Sequence, residues 1–150
     1  MAIELDDGGA PPGRDFIEAE RLAAVNDLIA DNAFHPTGCK SPRIRLRLAV
    51  RDNRIILDIA DAEAAPLIRH ILSLSPLRRV LRDYRQIRDS YNVAVGAISP
   101  RELETIDMGR RGLHDEGAEI LRERLKGKVD VDFQTARRLF TLICALRWRG

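Results

Sequence analysis

A chain of 150 residues that is 45% hydrophobic and 32% charged can bury one core without metal or disulfide support. That composition excludes a disordered polymer, and no apolar run reaches the roughly 18 residues of a membrane span. The net charge of +2 hides an asymmetry, since residues 1–32 hold eight acids and two bases and residues 33–150 hold 15 acids and 23 bases.

The N-terminus carries Glu4, Asp6 and Asp7 and no apolar h-region, so it does not read as a secretory signal, and a cytoplasmic location is expected. Residues 1–14 contain Gly8-Gly9-Ala10-Pro11-Pro12-Gly13 and read as a flexible arm, with Ile3 and Leu5 adding at most a short edge strand. A single domain over residues 15–150 follows. Asp15 with Glu18 resembles a capping box, and Ala19, Leu22, Val25, Ile29 and Ala30 then share one face of a helix to about Asn32. Residues 33–42 are rich in helix and strand breakers and read as a loop. His35 and Cys39 in it would make half a metal site, but no second ligand pair has suitable spacing, so no metal or cofactor is implied.

Ile44, Leu46, Leu48 and Val50 alternate with Arg43, Arg45, Arg47, Ala49 and Arg51, and the alternation resumes at Ile55, Leu57 and Ile59. A two-residue turn at Asp52-Asn53 would pair Arg51 with Arg54, Val50 with Ile55, Leu48 with Leu57 and Arg47 with Asp58. A third strand runs from Leu67 to Leu74, with His70 pointing inward as a satisfied histidine. Ser75-Pro76 supplies an N-cap and first helical residue, and Leu77, Val80, Leu81, Tyr84, Ile87, Tyr91, Ala94, Val95 and Ile98 form the apolar stripe of a second helix. On its polar side Arg85 is expected to bridge to Asp89.

Ser99-Pro100-Arg101-Glu102 is a second capping box and opens a third helix that Gly127 stops. Within it Gly109, Gly112 and Gly117 interrupt a charged run, and each costs a helix about 1 kcal/mol relative to alanine. Helical projection places Gly109 and Gly117 in the apolar stripe with Ile106, Leu113 and Ile120, which favours close packing over a break. Val129 and Val131 suggest a short strand. Asp132 then caps a last helix whose apolar arc, from Phe133 to Leu146 and including Cys144 as an inert thiol, makes it the central helix of the core. The elements add up to an α+β fold, a small hairpin-based antiparallel sheet with about four helices on one face.

Three runs carry a family resemblance: His70-Ile71-Leu72-Ser73-Leu74, Ile106 through His114, and Asp132-Phe133 with Thr135 through Cys144. On these the chain, over residues 20–148, resembles uncharacterised protein family 0262, a group of small alphaproteobacterial proteins. The resemblance implies no established activity, cofactor or catalytic residue.

Two surfaces are candidates for function. Arg43, Arg45, Arg47, Arg51 and Arg54 share one hairpin face with only Asp58 to compensate. An acidic ligand, an RNA backbone or the acidic N-terminal arm would neutralise them, and the leading expectation is a non-enzymatic module that binds an anionic protein or nucleic acid there. No aromatic residue interleaves these arginines, so base stacking is absent. The competing expectation is a small-anion or phosphate-binding enzyme or sensor using Arg110, Arg111 and His114 with Asp107, spaced to lie on one edge of the third helix. The bland alternative pairs Asp107 with Arg111 and leaves His114 a boundary residue. A third reading, an assembly subunit, rests on Arg147-Trp148-Arg149 as an anchor.

Overall fold

The computed structural model describes residues 1–7, 16–94 and 99–147. In chain order these form β1 (Ala2–Asp6), α1 (Phe16–Ala30), β2 (Phe34–Pro36), β3 (Ile44–Arg51), β4 (Arg54–Asp61), β5 (Pro66–Ser73), α2 (Arg78–Ala94), α3 (Pro100–Leu125), β6 (Val129–Val131) and α4 (Phe133–Arg147). The architecture is α+β, with a four-stranded mixed sheet ordered β1-β3-β4-β5 and a two-stranded sheet of β2 and β6. The capping region at Asp15, the stripe positions Val95 and Ile98, and Trp148 with Arg149 lie outside the described residues.

The hairpin forms in the register that its alternation dictates. Arg51 pairs with Arg54, Val50 with Ile55, Leu48 with Leu57 and Arg47 with Asp58. Asp52 (φ 52°) and Asn53 (φ 62°) both adopt the left-handed conformation that a two-residue primed turn requires. Leu46, Leu48, Ile55, Leu57 and Ile59 are buried on the face that meets the helices, and the arginines of β3 stand in solvent on the other. Residues 2–6 do form the short edge strand, paired parallel to β3.

Three expectations need correction. The buried face of α1 is formed by Ile17, Ala24 and Leu28, while Leu22 (55% exposed) and Ile29 (52%) of the expected face stand in solvent, because the packing partners rather than the local pattern choose the face. Residues 33–42 are not wholly loop: Phe34 and Pro36 are buried where β2 pairs with β6, a non-local partner nearly 100 residues away that no local propensity signals. Ser75 does not cap α2 through its side chain; residues 75–77 make a 3₁₀ turn, and the Ser75 hydroxyl instead receives a hydrogen bond from Asn53 (3.2 Å). Two of the expected N-cap side chains are in place. Ser99 accepts from the Glu102 amide (3.2 Å) and Asp132 from the Thr135 amide (2.8 Å).

Helix α3 runs unbroken through its three glycines. A Cβ on Gly117 would stand 2.6 Å from the Phe140 ring, so the glycine lets α3 and α4 approach closely. Helix α4 is buried from Leu139 through Leu146 and occupies the centre of the core, packed between α1, α3 and the inner face of β3.

Candidate functional site

Four helices each contribute a polar side chain at a position where the apolar pattern calls for a hydrophobic one. Glu20 lies on α1 between buried Ile17 and Ala24, Tyr84 in the stripe of α2, His114 next to the packing face of α3 and Thr141 in the arc of α4. Tyr84 is fully buried and His114 is 3% exposed. Polar groups this deep must find partners, since each orphan would cost about 1–3 kcal/mol.

They find one another. His114 Nε2 is 3.1 Å from the Tyr84 hydroxyl and Nδ1 is 3.0 Å from Thr141 Oγ1. Tyr84 donates its proton to Glu20 Oε2, which lies 3.7 Å from His114 Nε2, and Thr141 donates to the Arg137 carbonyl (3.1 Å). With both hydroxyl protons directed away from the ring, both contacts at the imidazole are hydrogen bonds when both nitrogens carry protons. Edge-to-face contacts of the His114 ring with Tyr84 (4.9 Å) and Phe140 (5.8 Å) fix its plane.

Arg110 completes the network from α3. Its Nη1 donates to Glu20 (2.6 Å), while Nε and Nη2 donate to Asp107 (3.0 and 2.7 Å). Burial works to raise the Glu20 carboxyl, but the neighbouring His114 ring, the hydrogen bond from Tyr84 and the Arg110 guanidinium outweigh it, holding its pKa below the usual carboxylate value. The Asp107 carboxyl is also lowered, first by its hydrogen bond from Arg110. Burial pushes the Tyr84 phenol up, so it stays a neutral donor, and likewise raises the Cys144 thiol.

Beside this network a cleft of about 210 Å³ opens between α1, α3 and α4. Gln134, Arg137, Arg138 and Thr141 of α4 line one side, at i, i+3, i+4 and i+7, and Ala23, Ala24 and Asp27 of α1 the other. Arg137 donates through Nε to Asp115 (2.8 Å) and Arg138 through Nη1 to the Asp31 carbonyl (2.9 Å), leaving further donors on each guanidinium among the described residues. Larger hollows lie elsewhere: one of about 620 Å³ at the end of α3, where Lys126 pairs with Glu123 (2.8 Å) and Arg122 donates to the Val131 carbonyl, and one of about 710 Å³ across the outer sheet face. Neither brings several buried polar groups to one point.

Of the residues singled out from the sequence, Asp107, Arg110 and His114 do converge, and His114 is core rather than boundary. Arg111 is mostly exposed, pairs among the described residues with Asp107 of its own helix (2.8 Å), and does not line the cleft. The hairpin face is met from within: Asp6 of β1 pairs with Arg47 (3.1 Å) and with Arg51, and Asp58 with Arg69 (2.5 Å). Arg45 donates to the Ala62 carbonyl (3.1 Å), while Arg43 and Arg54 have no ion pair among the described residues. On α2, Asp89 is held by Arg88 (2.9 Å) rather than Arg85, and Arg79 bridges to Asp83 and across to Glu116. His70 is half-buried on β5, and its Nε2 lacks the expected partner among the described residues.

Glu20, Thr141, Arg137 and Arg138 were not legible as site residues, although one signal existed: an acid, a phenol, an imidazole and a threonine each interrupting an apolar face. Among the described residues no helix is long and apolar enough to cross a membrane, and no three His, Cys, Asp or Glu side chains are grouped to hold a metal.

A model of the Uncharacterised protein family (UPF0262) matches residues 1–149. A UPF0262 protein of Nitrobacter winogradskyi is 47% identical over 150 residues, covering all of this chain and 90% of the relative. UPF0262 proteins of Brucella suis and Brucella abortus are each 50% identical over 151 residues, covering 99% of this chain and 92% of theirs. No solved structure matches. Every described residue lies inside that family match, and the chain belongs to the Uncharacterised protein family (UPF0262), whose function is unknown.

Proposed function

We propose that the cleft between α1, α3 and α4 binds a small oxyanion of the phosphate or carboxylate class. Arg137 and Arg138 act as its direct ligands, and the Glu20–Arg110–His114–Tyr84 network forms a rigid charged back wall. The observation that carries this reading is the pair of adjacent arginines on α4 that line the cleft with guanidinium donors to spare, one turn before Thr141, which bonds to the buried His114 of α3. Arginine donors in a partly desolvated recess suit an oxyanion better than any other small ligand, because their fork geometry matches two oxygens.

Binding suits this geometry better than hydroxyl-transfer chemistry. Thr141 is hydrogen-bonded to His114, but its proton points to the Arg137 carbonyl, and it sits mid-helix, where backbone amides are already bonded and offer no oxyanion hole. Arg110 is held by two carboxylates through Nε, Nη1 and Nη2 and serves to position Glu20. Calorimetric titration of the full chain with inorganic phosphate tests the proposal. Wild type is expected to bind one equivalent, Arg137→Ala/Arg138→Ala to lose at least tenfold in affinity, and Arg111→Ala to match wild type; equal affinities for all three proteins would reject it. An anionic protein or nucleic acid on the hairpin face, by contrast, would compete there with Glu4, Asp6 and Asp58.

A further inference from the structure

The neutralisation of the hairpin arginines by β1 is itself informative. Strand β1 pairs parallel with β3, so Glu4 lies beside Arg47 and Asp6 beside Ala49, with Arg51 reaching back to Asp6. Ile3 and Leu5 face the opposite way, beside Leu46 and Leu48. Residues 3–6 thus present an aliphatic–acid–aliphatic–acid pattern that matches both faces of the β3 edge. Its anchoring is modest. Ile3 and Leu5 are only partly buried, Glu4 stands 3.9 Å from Arg47 with its side chain 73% exposed, and parallel pairing at an edge is the weaker kind of ladder. In sequence the strand is tied to α1 through a stretch with three glycines and two prolines.

We infer that the β3 edge, with Arg45, Arg47 and Arg51, is a docking site for an extended acidic segment of a partner protein, and that β1 is the internal copy of that ligand. The partner adds as a parallel strand, its backbone completing the β3 ladder, its acids meeting the arginines and its alternate aliphatic side chains taking the positions of Ile3 and Leu5. Charge complementarity argues for this occupant: a nucleic acid has no alternating apolar face to place beside Leu46 and Leu48, and no aromatic residue stands among the arginines to stack its bases.

The test uses the full chain with Glu4→Arg/Asp6→Arg, which sets β1 against the arginines of β3, and a fluorescent peptide with the sequence of residues 1–7. Fluorescence anisotropy is expected to show the variant binding the peptide at least tenfold more tightly than wild type, with affinity falling as salt rises. Hydrogen exchange of the β3 amides facing β1 should speed up in the variant and slow again with peptide. Adding Arg47→Glu/Arg51→Glu should restore the internal strand and abolish peptide binding. The inference fails if the first variant, folded by circular dichroism, binds the peptide no better than wild type. It also fails if the variant cannot fold, which would make β1 an obligate part of the sheet. Concentration-dependent dimers in sedimentation would assign the edge to a second copy instead, and tighter binding of a single-stranded RNA oligonucleotide than of the peptide would assign it to nucleic acid.

Discussion

On the outer face of the sheet Arg47 and Arg51, each with more than half of its side chain in water, reach Asp6, whose side chain is 17% exposed, whereas Arg110 and Glu20 meet with 25% and 18% of their side chains exposed. The two pairings look alike as contacts and differ in consequence. Exposed pairs gain little, because water and salt screen them and ordering long side chains opposes the gain. In the helical layer the charges are partly stripped of water, so each must be matched, and losing one partner strands the others. Charge on the sheet is therefore exchangeable, which suits a docking edge, and charge under the helices is fixed, which suits a preformed small-ligand recess.

Several substitutions sharpen that contrast. The largest effect is expected at Gly117→Ala, where the new methyl would lie 2.6 Å from Phe140, the ring that also contacts His114 and Tyr84. A loss of about 3 kcal/mol in chemical denaturation is expected, near the upper end for overpacking. The companion glycines calibrate it: Gly109→Ala meets only the movable end of Ile87 at 2.9 Å and should be near neutral, and Gly112→Ala, with nothing within 4 Å, should stabilise by up to about 1 kcal/mol. A flat response across the three would mean that α3 and α4 do not pack this closely.

Next comes Glu20→Gln, expected to lose about 2 kcal/mol at neutral pH because it removes the carboxylate shared by Arg110, Tyr84 and His114. The pH dependence follows from the lowered Glu20 pKa. A carboxyl whose folded value lies below its unfolded value, about 4.3, contributes stability in full above that unfolded value and loses it as pH falls through the folded one. Wild type and Glu20→Gln should therefore converge in stability on acidification. Denaturation curves that stay parallel from neutral pH to below pH 4 would remove Glu20 from the ionised network. The smallest effect belongs to the sheet: Arg47→Ala should change stability by less than about 1 kcal/mol, less still at high salt.

The sheet was open to sequence reasoning because its pattern is local. Alternation from Ile44 to Ile59 with Asp52-Asn53 between dictates one register, and a one-residue slip would turn every leucine to water. The caps at Ser99 and Asp132 were legible for the same reason, each being settled within a turn of helix, and Gly117 because helical projection set it in the apolar stripe, although its partner Phe140 lies on another helix. What escaped depends on elements distant in sequence. Phe34 pairs with Val131, Glu20 meets Arg110 across 90 residues, and Tyr84 reaches Glu20 across 64. His114 and Asp107 were recognisable as chemistry, but spacing along one helix could not show that Arg110 turns toward α1 while Arg111 turns to solvent.

The oxyanion cleft is tested most directly by following the arginine Nε–H resonances of the full chain by NMR during titration with inorganic phosphate. Saturable shifts are expected at Arg137 and Arg138, with Arg43, Arg45 and Arg54 unmoved. Shifts confined to the hairpin arginines, or linear drift of every arginine alike, would contradict it.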